Sequence, residues 1–401
     1  MDLAETTRGI EVAKRAMGRF EPAFAGYGGA YADLPERSGF AFSLLQPEYT
    51  AEKIDHLWRV DRMETFAAPF SEDEVERRVR SELEFYEHTG AQAVFIGFTL
   101  TAYLSARIAK LPLVALAPFS FTRPFLEAGL GTWPDQFRPA ILRAVPDAWL
   151  DRALTRWASR TRAWLGPLNA VAKRHGLQAW GSLVEFWEAD DMLVADVPEV
   201  TGVPRLPDRW RYVGPVFAHL DVPLPQALRD LPHDKPRIYC AMGSSAEKSV
   251  AATVLEGLGQ VDAHVFAPLR PILGEDFDYP DNVLALDWLP APEANALADI
   301  AVIHGGQGTV QTAIGAGTPF VGVGLQPEQE WNIDAVVRAG SAVRLSRRGL
   351  TPELVAEAVR RLLDDEDARS RAVGLQRVYR ATDGARATAD FLGHIVGGTD
   401  S

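Results

Sequence analysis

The chain has 401 residues, 47% of them apolar and 24% charged, enough to bury a sizeable core divided among two or three domains. Lys and Arg number 41 against 54 Asp and Glu, a net charge of -13 with no basic cluster, which argues against nucleic acid as a partner. The single cysteine, Cys240, lies in an apolar run; it excludes a disulfide framework and a cysteine-based metal site, and it fits a reducing cytoplasm.

The first seventeen residues carry charges throughout, lack the apolar core of a signal peptide, and have the period of a helix over 5–17. Short β-branched or aromatic runs then predict strands at 22–27, 40–45, 93–98 and 113–117, with helices over 72–88 and 101–110. The most apolar stretch, 93–106, contains Thr and Ser and stops at Arg107, short of the roughly 18 uninterrupted residues of a membrane span; peripheral membrane contact stays open. From 119 to 187 the spacing is helical and tryptophan-rich. Prolines crowd 198–236 and read as a linker, with a domain boundary at Gly214-Pro215 that divides 1–214 from 215–401.

The same rhythm restarts with strands at 237–241, 264–267, 283–287, 300–304 and 320–323, and a helical segment, 351–396, follows, its last helix expected to return to the first domain. Strands alternating with helices predict two doubly wound α/β/α domains facing a cleft. Such domains usually open with a strand, whereas this one opens with a helix, so the first strand of the first domain is expected to be missing.

The sharpest segment is a strand, Ile300 to Ile303, followed by His304-Gly305-Gly306-Gln307-Gly308-Thr309 and a helix from about Val310. A strand feeding a glycine-rich turn into a helix aims unpaired backbone N–H groups and the positive helix end at one point, where a phosphate fits. His304 and Thr309 add side-chain donors, and the glycines let a ligand approach the backbone closely. Taken alone, such a loop is as readily a tight turn beside a core histidine.

With its neighbours, the segment resembles the donor-binding motif of family 1 glycosyltransferases, two-domain enzymes of the B-type glycosyltransferase fold built from Rossmann-like halves. The resemblance implies that Trp288 stacks the nucleotide base, that His304 with Gly305, Gly306, Gly308 and Thr309 holds the diphosphate, and that Glu328, Gln329 and Asn332 hold sugar hydroxyls. Ser244 and Ser245 correspond to a donor-side serine turn, and Gly214-Pro215 to the interdomain linker. Thr312 stands where relatives often carry a ribose-binding Glu, Ala291 where they carry Gln, and Glu328 where Asp is usual. Nucleotide and sugar recognition are therefore expected to differ from the family pattern.

The family implies inverting transfer of a hexose or deoxyhexose from a UDP- or dTDP-sugar to a hydroxyl of a small, largely apolar acceptor, a natural product or a lipid-like molecule. The nucleotide sugar is a co-substrate; no cofactor and no metal are expected, and no histidine pair has metal-ligand spacing. The expected partners are donor and acceptor, with a homodimer left open. Transfer needs a general base. At the position of the family's histidine stands Glu5, at that of a following proline Arg8, and at that of the acid that orients the histidine, Gly97. Glu5 is equally an ordinary acid in a first helical turn. Phe119, Phe121, Phe125 and Trp133 lie where the family forms its acceptor pocket. Two other readings stay open: a non-catalytic auxiliary protein of the same fold, motivated by the missing dyad acid and Thr312, and a nucleotide-sugar epimerase.

Overall fold

The computed structural model describes residues 3–120, 122–218, 223–243 and 246–397. In the first half the strands are β1 (Ala23–Gly26), β2 (Ala41–Leu44), β3 (Val94–Ile96), β4 (Leu113–Ala117), β5 (Asp191–Val194) and β6 (Trp210–Tyr212). In the second half they are β7 (Arg237–Ala241), β8 (His264–Ala267), β9 (Val283–Ala285), β10 (Ile300–Ile303), β11 (Phe320–Val323) and β12 (Ala342–Leu345). Neighbouring strands run parallel, as connection through helices requires.

The second half forms one six-stranded sheet in the order β12-β11-β10-β7-β8-β9. Counted within that half, the order is 6-5-4-1-2-3, that of a doubly wound sheet, and the winding reverses between β7 and β10. Both faces are covered. Ile238 and Cys240 point to one core with Val254 and Leu255, while Tyr239 and Ala241 point to the other with Phe266 and Phe320. This is why its strands read as unbroken apolar runs instead of alternating ones. Cys240 is fully buried, and burial pushes its thiol up to about 12, so it is a packing residue.

The first half is less continuous: β3-β4-β5-β6 form a four-stranded sheet, and β1 and β2 pair apart from it. The first described element is the helix Leu3–Ala16, which packs Val12 and Ala16 against Val114, Leu116 and Leu193 of the four-stranded sheet. The helix Gly384–Val396, the last of the second half in sequence, joins the same cluster through Ala385, Ala389 and Leu392. Ion pairs from Arg15 to Asp383 and from Arg19 to Asp390 hold these two helices side by side. Among the described residues, no helix is long and apolar enough to cross a membrane.

Three strands lie outside the sequence-based expectation. β5 is only four residues long and directly follows the tryptophan-rich helical region, so its apolar letters merge with that pattern. β6 falls inside the proline-rich stretch read as linker; it is a three-residue edge strand paired only with β5, where prolines just outside the pairing are tolerated. β12 is an edge strand interrupted by Arg344. The glycine-rich loop is also shorter than expected, because its helix begins at Gln307, three residues before Val310.

Candidate active-site cleft

Where the winding of the second sheet reverses, the chain leaving β7 and the chain leaving β10 lie side by side at the carboxyl ends of their strands. The backbone N–H of His304 donates to the carbonyl of Ala241 at 3.2 Å, and its Nδ1 lies 3.3 Å from the same oxygen. A carbonyl can only accept, so Nδ1 carries the proton and Nε2 of the neutral ring keeps its lone pair. Burial holds the imidazole below its ordinary range, with the Ala241 carbonyl pulling weakly the other way.

Glycine is required on both sides of this ring. A Cβ on Gly243, whose φ is +71°, or on Gly306 would come within 2.6 Å of the imidazole. The helix Gln307–Ala316 then starts with Gly306 at its cap and no capping side chain, leaving its first N–H groups available beside His304. Thr309 is half-buried in the first turn and Gly308 is exposed. Thr312 is engaged within the fold: its hydroxyl donates to Thr309 O at 2.9 Å and lies 3.2 Å from Asn295 Nδ2.

The helix Pro327–Ala339 approaches the same loop. Asn332 Nδ2 donates to the carbonyl of Gly305 at 3.1 Å and to Glu328 Oε1 at 3.3 Å, so Asn332 ties Glu328 to the glycine loop. Gln329 is buried, and its Oε1 accepts from Leu325 N–H at 2.9 Å, bracing the turn after β11. Trp288, by contrast, is 43% exposed at the mouth of the sheet.

On the opposite wall stands the helix Leu3–Ala16. A Cβ on Gly97, just after β3, would lie 2.6 Å from Glu5 Oε1 and 3.0 Å from its carboxyl carbon. The Glu5 carboxylate therefore fills the space that a side chain at position 97 would take. Tyr49 and Tyr103 lie nearby; burial first, and the Glu5 charge among the lesser causes, raise both phenols. One turn on from Glu5, Arg8 Nη1 donates across the cleft to Gln307 Oε1, at the start of the glycine-loop helix.

Phe119 and Phe125 are buried, their ring centroids 6.0 Å apart edge to face, and Phe125 packs with its ring tilted at 5.2 Å from Trp331 of the other half. Trp331 Nε1 donates to Thr132 O at 2.8 Å. A cavity bounded by Phe119, Phe125, Gln307 and Asn332 measures about 30 Å³, the share of a single water, so a ring-containing molecule enters only if the walls part. Trp133 is half-buried, with Nε1 donating to Phe137 O. Phe121, Ser244 and Ser245 lie outside the described residues.

Sequence reasoning missed the contacts that hold the walls together. Thr132 donates to Asp334 at 2.8 Å, and the N–H of Asp135 donates to the Glu330 carboxylate at 3.2 Å. Arg344 reaches Glu330 at 3.3 Å and Asp334 at 3.0 Å. Burial, reinforced by the Asp135 charge, raises the Glu330 carboxyl to about 7. The i,i+4 spacing of Glu330 and Asp334 put both on one helix face, a local signal that was available; their partners across the cleft had none. Among the described residues, no three His, Cys, Asp or Glu side chains cluster as a metal site requires.

Two parallel α/β halves facing a cleft, with a glycine loop at the switch point of the second, define a B-type glycosyltransferase fold. The solved structure of the calicheamicin glycosyltransferase CalG4 superposes with a TM-score of 0.68 at 18% identity, covering 100% of this chain and 96% of that one. The spinosyn rhamnosyltransferase SpnG complexed with thymidine diphosphate gives 0.68 at 13% identity, covering 96% of each. Residues 252–383 match the family described as erythromycin biosynthesis protein CIII-like, C-terminal domain. A PGL/p-HBAD biosynthesis glycosyltransferase of Mycobacterium tuberculosis is 35% identical over 217 residues, 53% of this chain and 50% of that protein. A PGL/p-HBAD biosynthesis rhamnosyltransferase of Mycobacterium bovis is 29% identical over 307 residues, 75% of this chain and 66% of that protein. The family match thus lies within the second half of the chain, and the chain spans about half the length of the first of these relatives.

Proposed function

We propose that the protein is an inverting glycosyltransferase that moves a hexose or deoxyhexose from a UDP- or dTDP-sugar to a hydroxyl of a small, largely apolar acceptor. One observation carries the reading: His304 is wedged between Gly243 and Gly306 beside the uncapped start of the helix Gln307–Ala316. That arrangement concentrates donors where a diphosphate leaves. SpnG, which shares the fold, is solved in complex with thymidine diphosphate, and this supports a nucleoside diphosphate as a ligand here.

In this reading the second half, from Gly214-Pro215 onward, binds the donor. Trp288 stacks the base, and Gly305, Gly306, Gly308, Thr309 and His304 hold the diphosphate. Glu328 faces the sugar. Gln329 and Asn332, already bonded to Leu325 and Gly305, keep the donor loop in shape. Glu5 takes the acceptor proton, standing in the space above Gly97 that a dyad acid would occupy. Phe119, Phe125 and Trp133 form the acceptor wall once the cleft opens. No cofactor or metal takes part, the buried free thiol of Cys240 suits the cytoplasm, and a homodimer is compatible with all of this.

Calorimetric titration of UDP, dTDP and GDP into the chain and into His304→Ala tests the reading. One nucleotide should saturate the wild type and lose most of its affinity in the variant. Because burial favours the neutral His304 ring, a phosphate at Nε2 should draw a proton onto it, and the heat should change with the ionisation enthalpy of the buffer. Binding that is unchanged in His304→Ala would refute the donor-site assignment.

A further inference from the structure

We propose that Arg8 is a catalytic residue of the transfer, a fixed positive charge that the first half extends across the cleft to the leaving diphosphate. The inference rests on the donor-site reading above. Glu5 and Arg8 are three residues apart on the helix Leu3–Ala16 and so share one face. Glu5 lies over Gly97, inside the cleft. The Arg8 guanidinium ends on Gln307, the first residue of the helix whose free N–H groups point at the proposed phosphate position. One helical turn thus presents a carboxylate on the acceptor side and a cation on the donor side of the point where the glycosidic bond forms.

The chemistry calls for a charge of this kind. As the acceptor oxygen bonds to the anomeric carbon, its proton passes to Glu5. The bond from that carbon to the diphosphate oxygen breaks, and its electron pair stays on the diphosphate, which gains negative charge. His304 is held neutral by burial and needs a proton before it can meet that charge. A guanidinium offers five N–H donors, of which Gln307 engages one group. Gln307 is a neutral acceptor, so an incoming phosphate oxygen competes with it on favourable terms. Arg8 also reports closure, because its cation reaches the donor loop only when the two halves are together.

The test compares wild type, Arg8→Ala, Arg8→Lys and His304→Ala, each checked for an unchanged circular dichroism spectrum and cooperative melting. For each, the affinity for a nucleoside diphosphate is measured beside that for the corresponding monophosphate, and kcat is measured with a nucleotide sugar and a model phenol. Arg8→Ala should lower kcat about 10²-fold, the usual cost of one donor to a developing anion, and Arg8→Lys should recover part of it. Arg8→Ala should also shrink the preference for diphosphate over monophosphate about tenfold, which loss of a merely structural contact would not do, since that weakens both nucleotides alike. If Arg8→Ala keeps the wild-type preference and kcat while His304→Ala loses nucleotide, the Arg8 role is overturned and the donor site stands. If the wild type binds neither nucleotide, both fall.

Discussion

The two walls of the cleft are built in different ways. The glycine-loop wall is largely local: β10, the glycine loop and the helix Gln307–Ala316 are consecutive in sequence, with Gly243 beside His304 and Asn332 on Gly305 joining from farther away. The facing wall is assembled at long range: Glu5 meets Gly97, Arg8 meets Gln307, and Phe125 meets Trp331. A local site is carried by backbone geometry that few residue types satisfy, so its glycines are diagnostic. A long-range site is carried by side chains whose neighbours could be many residues, so their letters say little.

The contrast is sharpest at the glycines that crowd each wall. Gly243→Ala should have the largest effect. It places a methyl 2.6 Å from the His304 ring and an alanine at φ +71°, and neither β7 nor β10 can yield. Nucleotide binding should be lost and stability should fall by roughly 1–3 kcal/mol, read by calorimetry and urea unfolding. Retention of both would show that the ring is not confined as described.

Gly97→Ala breaks the other wall differently. The methyl meets only the end of a flexible Glu5 side chain, which can swing away. Stability should change by less than about 1 kcal/mol, while transfer should fall about 10²-fold, the lower end of what a general base contributes. Glu5→Ala should match it, and the double variant should be no slower than either single one, because both remove the same group. Additive losses would mean that Glu5 and Gly97 act separately.

The last effect concerns the contacts joining the walls and bears on stability alone, with no loss of binding or transfer. The Glu330 carboxyl is raised from 4.5 to about 7 in the folded chain, so between those values the native state holds more protons than the unfolded one. Stability should therefore fall as pH rises from about 4.5 to 7 and level off above, by at most about 3 kcal/mol. Glu330→Gln should flatten that part of the profile of Tm against pH. An unaltered profile would remove Glu330 from the account.

The sequence by itself determined the parallel α/β class, nine of the strands and the glycine-rich turn after β10, because buried strands must be apolar and a tight strand-to-helix turn favours glycine. It placed Glu5 and Gly97 in corresponding roles only through a family resemblance, and could not say that they touch. Short edge strands such as β6 and β12 escaped it, since three or four residues with one paired side leave almost no periodic signal. Tertiary structure alone decided that Arg8 reaches Gln307 and that Phe119 and Phe125 close on Trp331 around a space the size of one water. These are meetings between residues far apart along the chain, settled by how the two halves pack and not by the character of any one segment.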